Sequence, residues 1–230
     1  MGAQWKHAGR LASAAAKGKV FSRLAKEIII AAKAGPDPAL NARLRAAVEA
    51  AKKASMPRDT LERAIKKGAG LLDDKASYES VVIEGFAPHR VPVIVECLTD
   101  NAKRTLTNLR HAFRNGQLTP VAWDFTHVGL VDALPPAGAD GDAEVAAIEA
   151  GAQDFETDGD GFRFYTEPND VDAVSKALSA RGWTVAAMRI GWRSKNPVKL
   201  DDAARAEVEQ FLAEIDEDED VQHLYAGLET

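Results

Sequence analysis

The chain has 230 residues, of which 46% are hydrophobic, and carries a formal net charge of −6. That apolar content is ample for packed cores, yet the longest apolar stretch near the N-terminus, Ile28–Ala32, stops at Lys33, far short of the roughly 18 residues a membrane-spanning helix needs, so no such helix is expected. The single cysteine, Cys97, excludes an internal disulfide and any CxxC metal site; lying in the apolar run VIVECL, with no secretory signal at the N-terminus, it reads as a reduced core thiol of a cytoplasmic protein.

Charge is distributed unevenly. Residues 1–70 hold 15 Lys+Arg against 5 Asp+Glu, a net of +10, whereas residues 71–230 hold 14 against 30, a net of −16. A basic segment in an otherwise acidic chain points to a polyanionic partner for that segment.

In chain order, Trp5, Lys6, His7 and Arg10 form a short basic arm whose indole could equally stack on a base or pack on the bundle, and Lys17 stands just ahead of the first predicted helix. That helix runs from Lys19 to Lys33. At 100° per residue Lys19, Arg23, Lys26 and Lys33 fall within about 80° of one another, opposite Phe21, Leu24, Ala25, Ile28 and Ala32. The apolar side is expected to be buried and the cationic stripe to remain in water. Gly35-Pro36 ends the helix. A second helix after Asp37-Pro38 buries Leu40, Leu44, Ala47, Val48 and Ala51, with Arg43, Arg45, Lys52 and Lys53 off that stripe. A third starts at Pro57, buries Leu61, Ala64 and Ile65, and stops at Gly68; Arg58, Arg63, Lys66 and Lys67 are on its exposed side. Short turns between the three predict a small bundle.

Beyond residue 70 the pattern alternates. Strands are expected at 81–86 and 91–99, a helix at 101–116, and two short strands in VAWDF (121–125) and GLVDAL (129–134). The stretch PPAGADGDA (135–143) reads as a boundary. After it come a helix at 143–151, strands at 152–157 and 162–166, a helix at 169–181 and a strand at 184–192, then a break at NPV (196–198), a helix Asp201–Glu214 and a strand at 221–226. The first α/β segment lacks a closing helix and strand, so the C-terminal tail is expected to return to it. The layout is an α+β fold: a basic three-helix bundle (1–75), an α/β sandwich from 76–134 plus 198–230, and a second α/β sandwich (135–197) inserted in the first.

Catalytic signatures are missing: the chain has no Walker A segment, HExxH or GxSxG. DFETDG (154–159) places oxygens like a calcium loop, but Tyr165 stands where the bidentate glutamate would be, so the segment reads as a hairpin turn. No enzyme activity, cofactor or metal is expected. DEDED (216–220) reads as a solvated helix end.

The segments LRAAVEAAKKASMPRDTLERAIKKGAG (44–70), EGFAP (84–88), VIVECLTDN (93–101), VAWDF, NPV and DVQHLY (220–225) together resemble the YebC/PmpR family over nearly the whole chain. The resemblance implies an N-terminal helical bundle followed by two α/β domains, the second inserted in the first, and no enzyme activity. It implies a DNA-binding transcriptional regulator. A mitochondrial relative is a translational activator, and bacterial members also act on the ribosome to relieve stalling at proline runs, which implies ribosomal RNA and the ribosome as the second candidate partner. A monomer without membrane contact is expected. The chain departs from the family pattern where a glycine-rich GYGPGG turn is replaced by Gly85-Phe86-Ala87-Pro88-His89-Arg90. The candidate nucleic-acid contacts are Trp5, Lys6, His7, Arg10, Lys17, Lys19, Arg23, Lys26, Lys33, Arg58, Arg63, Lys66 and Lys67.

Overall fold

The structure is a computed structural model that describes residues 14–72, 78–136 and 142–229. Helices α1 (Ala14–Ala32), α2 (Ala42–Lys53) and α3 (Arg58–Gly68) form the bundle. Helix α1 starts five residues before the expected Lys19, because the run AAAK ahead of it consists of strong helix formers. Ile28, Leu44 and Ala51 are wholly buried at the centre, with Ile29, Val48, Leu61 and Ala64 around them. Asn41 ties α1 to α2: its Oδ1 accepts from the Leu44 N–H at 3.1 Å, and its Nδ2 donates to the carbonyls of Ala31 and Gly35 at 2.8 and 2.9 Å. Helices α1 and α3 approach closely at Gly68, where a Cβ would lie 2.3 Å from the Ile29 carbonyl oxygen.

The chain continues through β1 (Glu79–Phe86), β2 (Pro92–Thr99), α4 (Ala102–Ala112), β3 (Gln117–Leu118), β4 (Phe125–Leu134), α5 (Ala143–Ala150), β5 (Asp154–Asp158), β6 (Gly161–Thr166), α6 (Val171–Ala180), β7 (Thr184–Ser194), α7 (Asp202–Asp216) and β8 (Val221–Ala226). Two four-stranded sheets result, in the orders β3-β1-β2-β8 and β5-β6-β4-β7. The C-terminal strand β8 returns to lie beside β2. Helix α4, the 3-10 turn Phe113–Asn115 after it and α7 bury Leu109, Phe113, Val208, Phe211, Leu212 and Ile215, and the Phe113 and Phe211 rings meet edge-on at 5.2 Å. In the second sheet the alternation of side chains sends Val131, Ala133, Phe155 and Phe164 to the face covered by α5 and α6, where Val174, Leu178 and Trp183 complete the core. The opposite face carries Arg163, 3% exposed, held at 2.6 Å by both Asp132 and Asp158.

The described residues divide into two compact units, one comprising 14–120 with 200–224 and the other 121–199 with 225–229. Two local expectations differ from what is found. VAWDF is not a strand: Ala122–Asp124 form a 3-10 turn because the Asp124 carboxylate accepts from Asn196 Nδ2 at 2.6 Å, and a single ten-residue strand, β4, follows. The stretch at 135–143 also does not separate the two sheets. Strand β4 precedes it yet pairs with both β6 and β7, since Val131 and Ala133 are needed under α5 and α6. DFETDG is a hairpin, with Asp158 opposite Gly161 and Gly159 at φ +62°.

The corner between β1 and β2 places two successive non-glycine residues in left-handed conformation, His89 at φ 57° and Arg90 at φ 60°. These are the positions at which the resembled family carries glycines. The strain is offset locally: the His89 ring lies 2.8 Å from a Glu207 carboxylate oxygen and the Arg90 guanidinium sits over the Phe86 ring.

Two outcomes follow from this packing. Gly68→Ala gains helix propensity but drives a methyl into the Ile29 carbonyl, so a net destabilisation of about 1–3 kcal/mol is expected in urea unfolding. The Cys97 thiol is pushed up to about 12 by burial, with the carboxylates of Asp218 and Asp220 adding to it. In the folded chain it should resist a disulfide-exchange reagent at pH 8 and react fully once denatured.

Candidate nucleic-acid interface

The cationic stripe of α1 does not stay in water. Arg23 Nη2 donates to the Asp216 carbonyl and to its Oδ1 at 2.9 and 2.8 Å, and Lys19 Nζ lies 3.8 Å from the same carboxylate. Lys26, only 9% exposed, donates to the Glu219 carbonyl at 2.8 Å and to Asp220 Oδ1 at 2.6 Å. The expected solvated run DEDED is thus a socket for α1, and the expected wet stripe is its plug. The physical reason is economy of desolvation: an ammonium leaves water cheaply when a carboxylate and a carbonyl replace its hydration shell.

Asp220 is the centre of the socket. Besides Lys26, its carboxylate accepts from Thr99 Oγ1 at 3.0 Å, Thr105 Oγ1 at 2.8 Å and Arg104 Nη2 at 3.0 Å. Burial by itself would raise its pKa. The hydrogen bonds from Lys26, Thr105 and Arg104 outweigh that and hold it at about 2. Asn108 Nδ2 adds a bond to Asp218 at 3.1 Å.

The other candidates are placed differently. Lys33 is exposed and donates to the Tyr78 carbonyl at 2.8 Å; Lys67 is half-buried, its ammonium 5.4 Å above the centre of the Tyr78 ring. Arg58, Arg63 and Lys66 are exposed along one side of α3, where the hydrogen bond from Arg58 holds Glu62 below the usual carboxylate range. Trp5, Lys6, His7, Arg10 and the Lys17 side chain lie outside the described residues. Arg43, Arg45, Lys52 and Lys53 on α2, not counted among the candidates, are also exposed. Their spacing opposite Leu44, Val48 and Ala51 was the available signal. Helices α2 and α3 therefore present the outward cations of the bundle, and α1 turns most of its own inward.

The socket predicts an acid dependence. Because Asp220 is held at about 2 against an ordinary value of 3.8, its stabilisation is complete above pH 5 or so and is lost as the pH falls through 4 towards 2. Asp220→Ala strands Lys26 and should cost about 3–5 kcal/mol in urea unfolding at pH 7. Asp220→Asn should show a shallower loss of stability between pH 5 and pH 2 than the parent chain.

Residues 3–71 match the TACO1/YebC protein N-terminal domain, and residues 78–228 match the TACO1/YebC second and third domain. A probable transcriptional regulatory protein of Pseudomonas syringae pv. syringae is 58% identical over 233 residues, covering 99% of each chain, and one of Bdellovibrio bacteriovorus is 48% identical over 99% of this chain and 100% of its own. The crystal structure of a conserved hypothetical protein from Aquifex aeolicus superposes with a TM-score of 0.89 at 36% identity, over 99% of this chain and 96% of that one. With both family regions matched in order and relatives aligned end to end, this chain belongs to the TACO1/YebC family.

Proposed function

We propose that this chain is a nucleic-acid-binding regulator of gene expression, and that its bundle, residues 1–75, grips duplex DNA through the outward cations of α2 and α3. The observation that carries this reading is the exposure of Arg43, Arg45, Lys52, Arg58, Arg63 and Lys66 on a rigid bundle within an otherwise acidic chain. Such side chains reach phosphates, which set affinity and register without reading sequence. The naming of the relatives as probable transcriptional regulatory proteins supports DNA as the target. The protein acts as a cytoplasmic monomer in this reading.

A second reading is favoured by one further observation. Neither ARLRAAVEAAKK of α2 nor RDTLERAIKKG of α3 contains an asparagine or glutamine, the amides that pair with adenine in the major groove. Recognition of backbone and shape suits structured RNA equally, so a ribosome-bound translation factor is the alternative. Co-sedimentation with ribosomes that ribonuclease abolishes would favour it.

Replacing Arg58, Arg63 and Lys66 together by glutamate should leave the helical circular dichroism intact and abolish duplex binding. Replacement by glutamine should lower the slope of log K against log salt by about 2.7 if all three meet phosphates. A folded triple variant that binds as the parent does would overturn the assignment to α3. By contrast, charge reversal of Lys19, Arg23 and Lys26 should first reduce stability, because those residues are inside the socket.

A further inference from the structure

Strand β7 (Thr184–Ser194) is the outermost strand of the second sheet, and among the described residues no strand lies along its other side. An open edge of this length exposes a row of backbone N–H and C=O groups, and folded proteins usually guard such a row with proline, lysine or an inward charge. The sequence TVAAMRIGWRS contains no proline, lysine or acidic residue. Its protective irregularity is a bulge at Ala186, which has no opposite number on β4 because Val185 faces Ala133 and Ala187 faces Asp132.

The side chains along the edge are apolar as well. Met188, opposite Val131, and Ile190, opposite Gly129, follow one another on the face that α5 and α6 cover, yet they are 39% and 52% exposed. Ala186 and Ala187 are also exposed. Arg189 turns to the opposite face, where its Nη1 donates to Asp132 Oδ2 at 2.9 Å, so its charge is compensated within the sheet. Val185 and Trp192 have further partners within the chain, which confines the open stretch to AAMRI (186–190).

An open strand edge is completed by extended backbone, and AAMRI fits its own copy. In an antiparallel pair about a two-fold axis through Met188, the two methionines meet, each Ile190 lies opposite Ala186, and each Arg189 lies opposite Ala187. Large side chains then oppose small ones, and no like charges meet. Centring the pair on Arg189 would set two guanidinium groups against each other, and centring it on Ile190 would require Trp192, which is already engaged with His127. We infer that two copies of this chain pair edge to edge through Ala186–Ile190 of β7, with Met188 on the axis. A ladder of that length buries far less than the roughly 1,200 Å² of a stable interface, so the chain is a monomer when dilute and pairs only when concentrated. The pairing does not depend on the nucleic-acid reading.

Sedimentation velocity of the full chain, from low micromolar to near-millimolar concentration, should show the mean mass rising from monomer towards dimer and no further. Ile190→Lys should weaken this self-association roughly ten-fold or more with unchanged circular dichroism, because the two-fold axis makes each substitution act twice. Cysteine variants report the register. Cys97 is buried, so mild oxidation should link two Met188→Cys chains through residue 188. Ile190→Cys should stay largely unlinked, since each copy of that residue lies opposite Ala186 and not opposite its mate. Should Ile190→Lys lose its fold, the contrast between the two cysteine variants decides. A parent chain that stays monomeric at the highest concentration, or self-association unchanged in a folded Ile190→Lys, would overturn the inference and leave the edge to a strand of another protein. Linking of Ile190→Cys in preference to Met188→Cys would overturn the register, and growth beyond the dimer would overturn the closed pair.

Discussion

A single carboxylate organises much of the first unit. Asp220 receives four donors from three places in the chain: Lys26 on α1, Thr99 at the end of β2, and Thr105 and Arg104 on α4. A buried carboxylate with one donor would prefer to be protonated; with four it is an anchor, because each donor substitutes for a lost water and two of them bring full charge. The position of α1 on this unit, and through Asn41 and Gly68 the positions of α2 and α3, depend on that balance.

The same balance changes the meaning of the net charge. A surplus of +10 over residues 1–70 suggests a uniformly positive surface, but part of it is consumed internally by Asp216 and Asp220. What remains outside is concentrated on two helices. Long-range attraction of a polyanion depends on the field of the whole chain, which is acidic, whereas short-range grip depends on where the exposed guanidinium and ammonium groups are placed. The bundle separates these two properties.

Much of the fold was legible in the sequence because local rules were obeyed. The 3.6-residue apolar period of α1 to α3, with the breaks at Gly35-Pro36 and Gly68, located the bundle, and short apolar runs bounded by turn residues located most strands. What could not be read depended on partners far away. Nothing within Lys19–Lys33 says that its stripe meets residues 216–220, since a solvated cationic face and a docked one have the same periodicity. VAWDF has the composition of a strand and becomes a turn only because Asn196 supplies a donor to Asp124. Likewise, His89 and Arg90 do not advertise positive φ; only the glycines of the resembled family at those places do. The exposure of Arg58, Arg63 and Lys66 was legible from helical spacing alone, whereas the docking of Lys19, Arg23 and Lys26 was not.

The bonds from Arg23 to Asp216 and from Lys26 to Asp220 close over 193 and 194 residues of sequence. Helix α1 is therefore synthesised long before its acceptors, which follow 193 and 194 residues later. Throughout elongation its ammonium and guanidinium groups must stay hydrated or find a temporary anion, and a chain terminated before residue 216 has no means of burying them. Synthesis of residues 216–220 is the step at which α1 can change from a hydrated polycation into an internal strut.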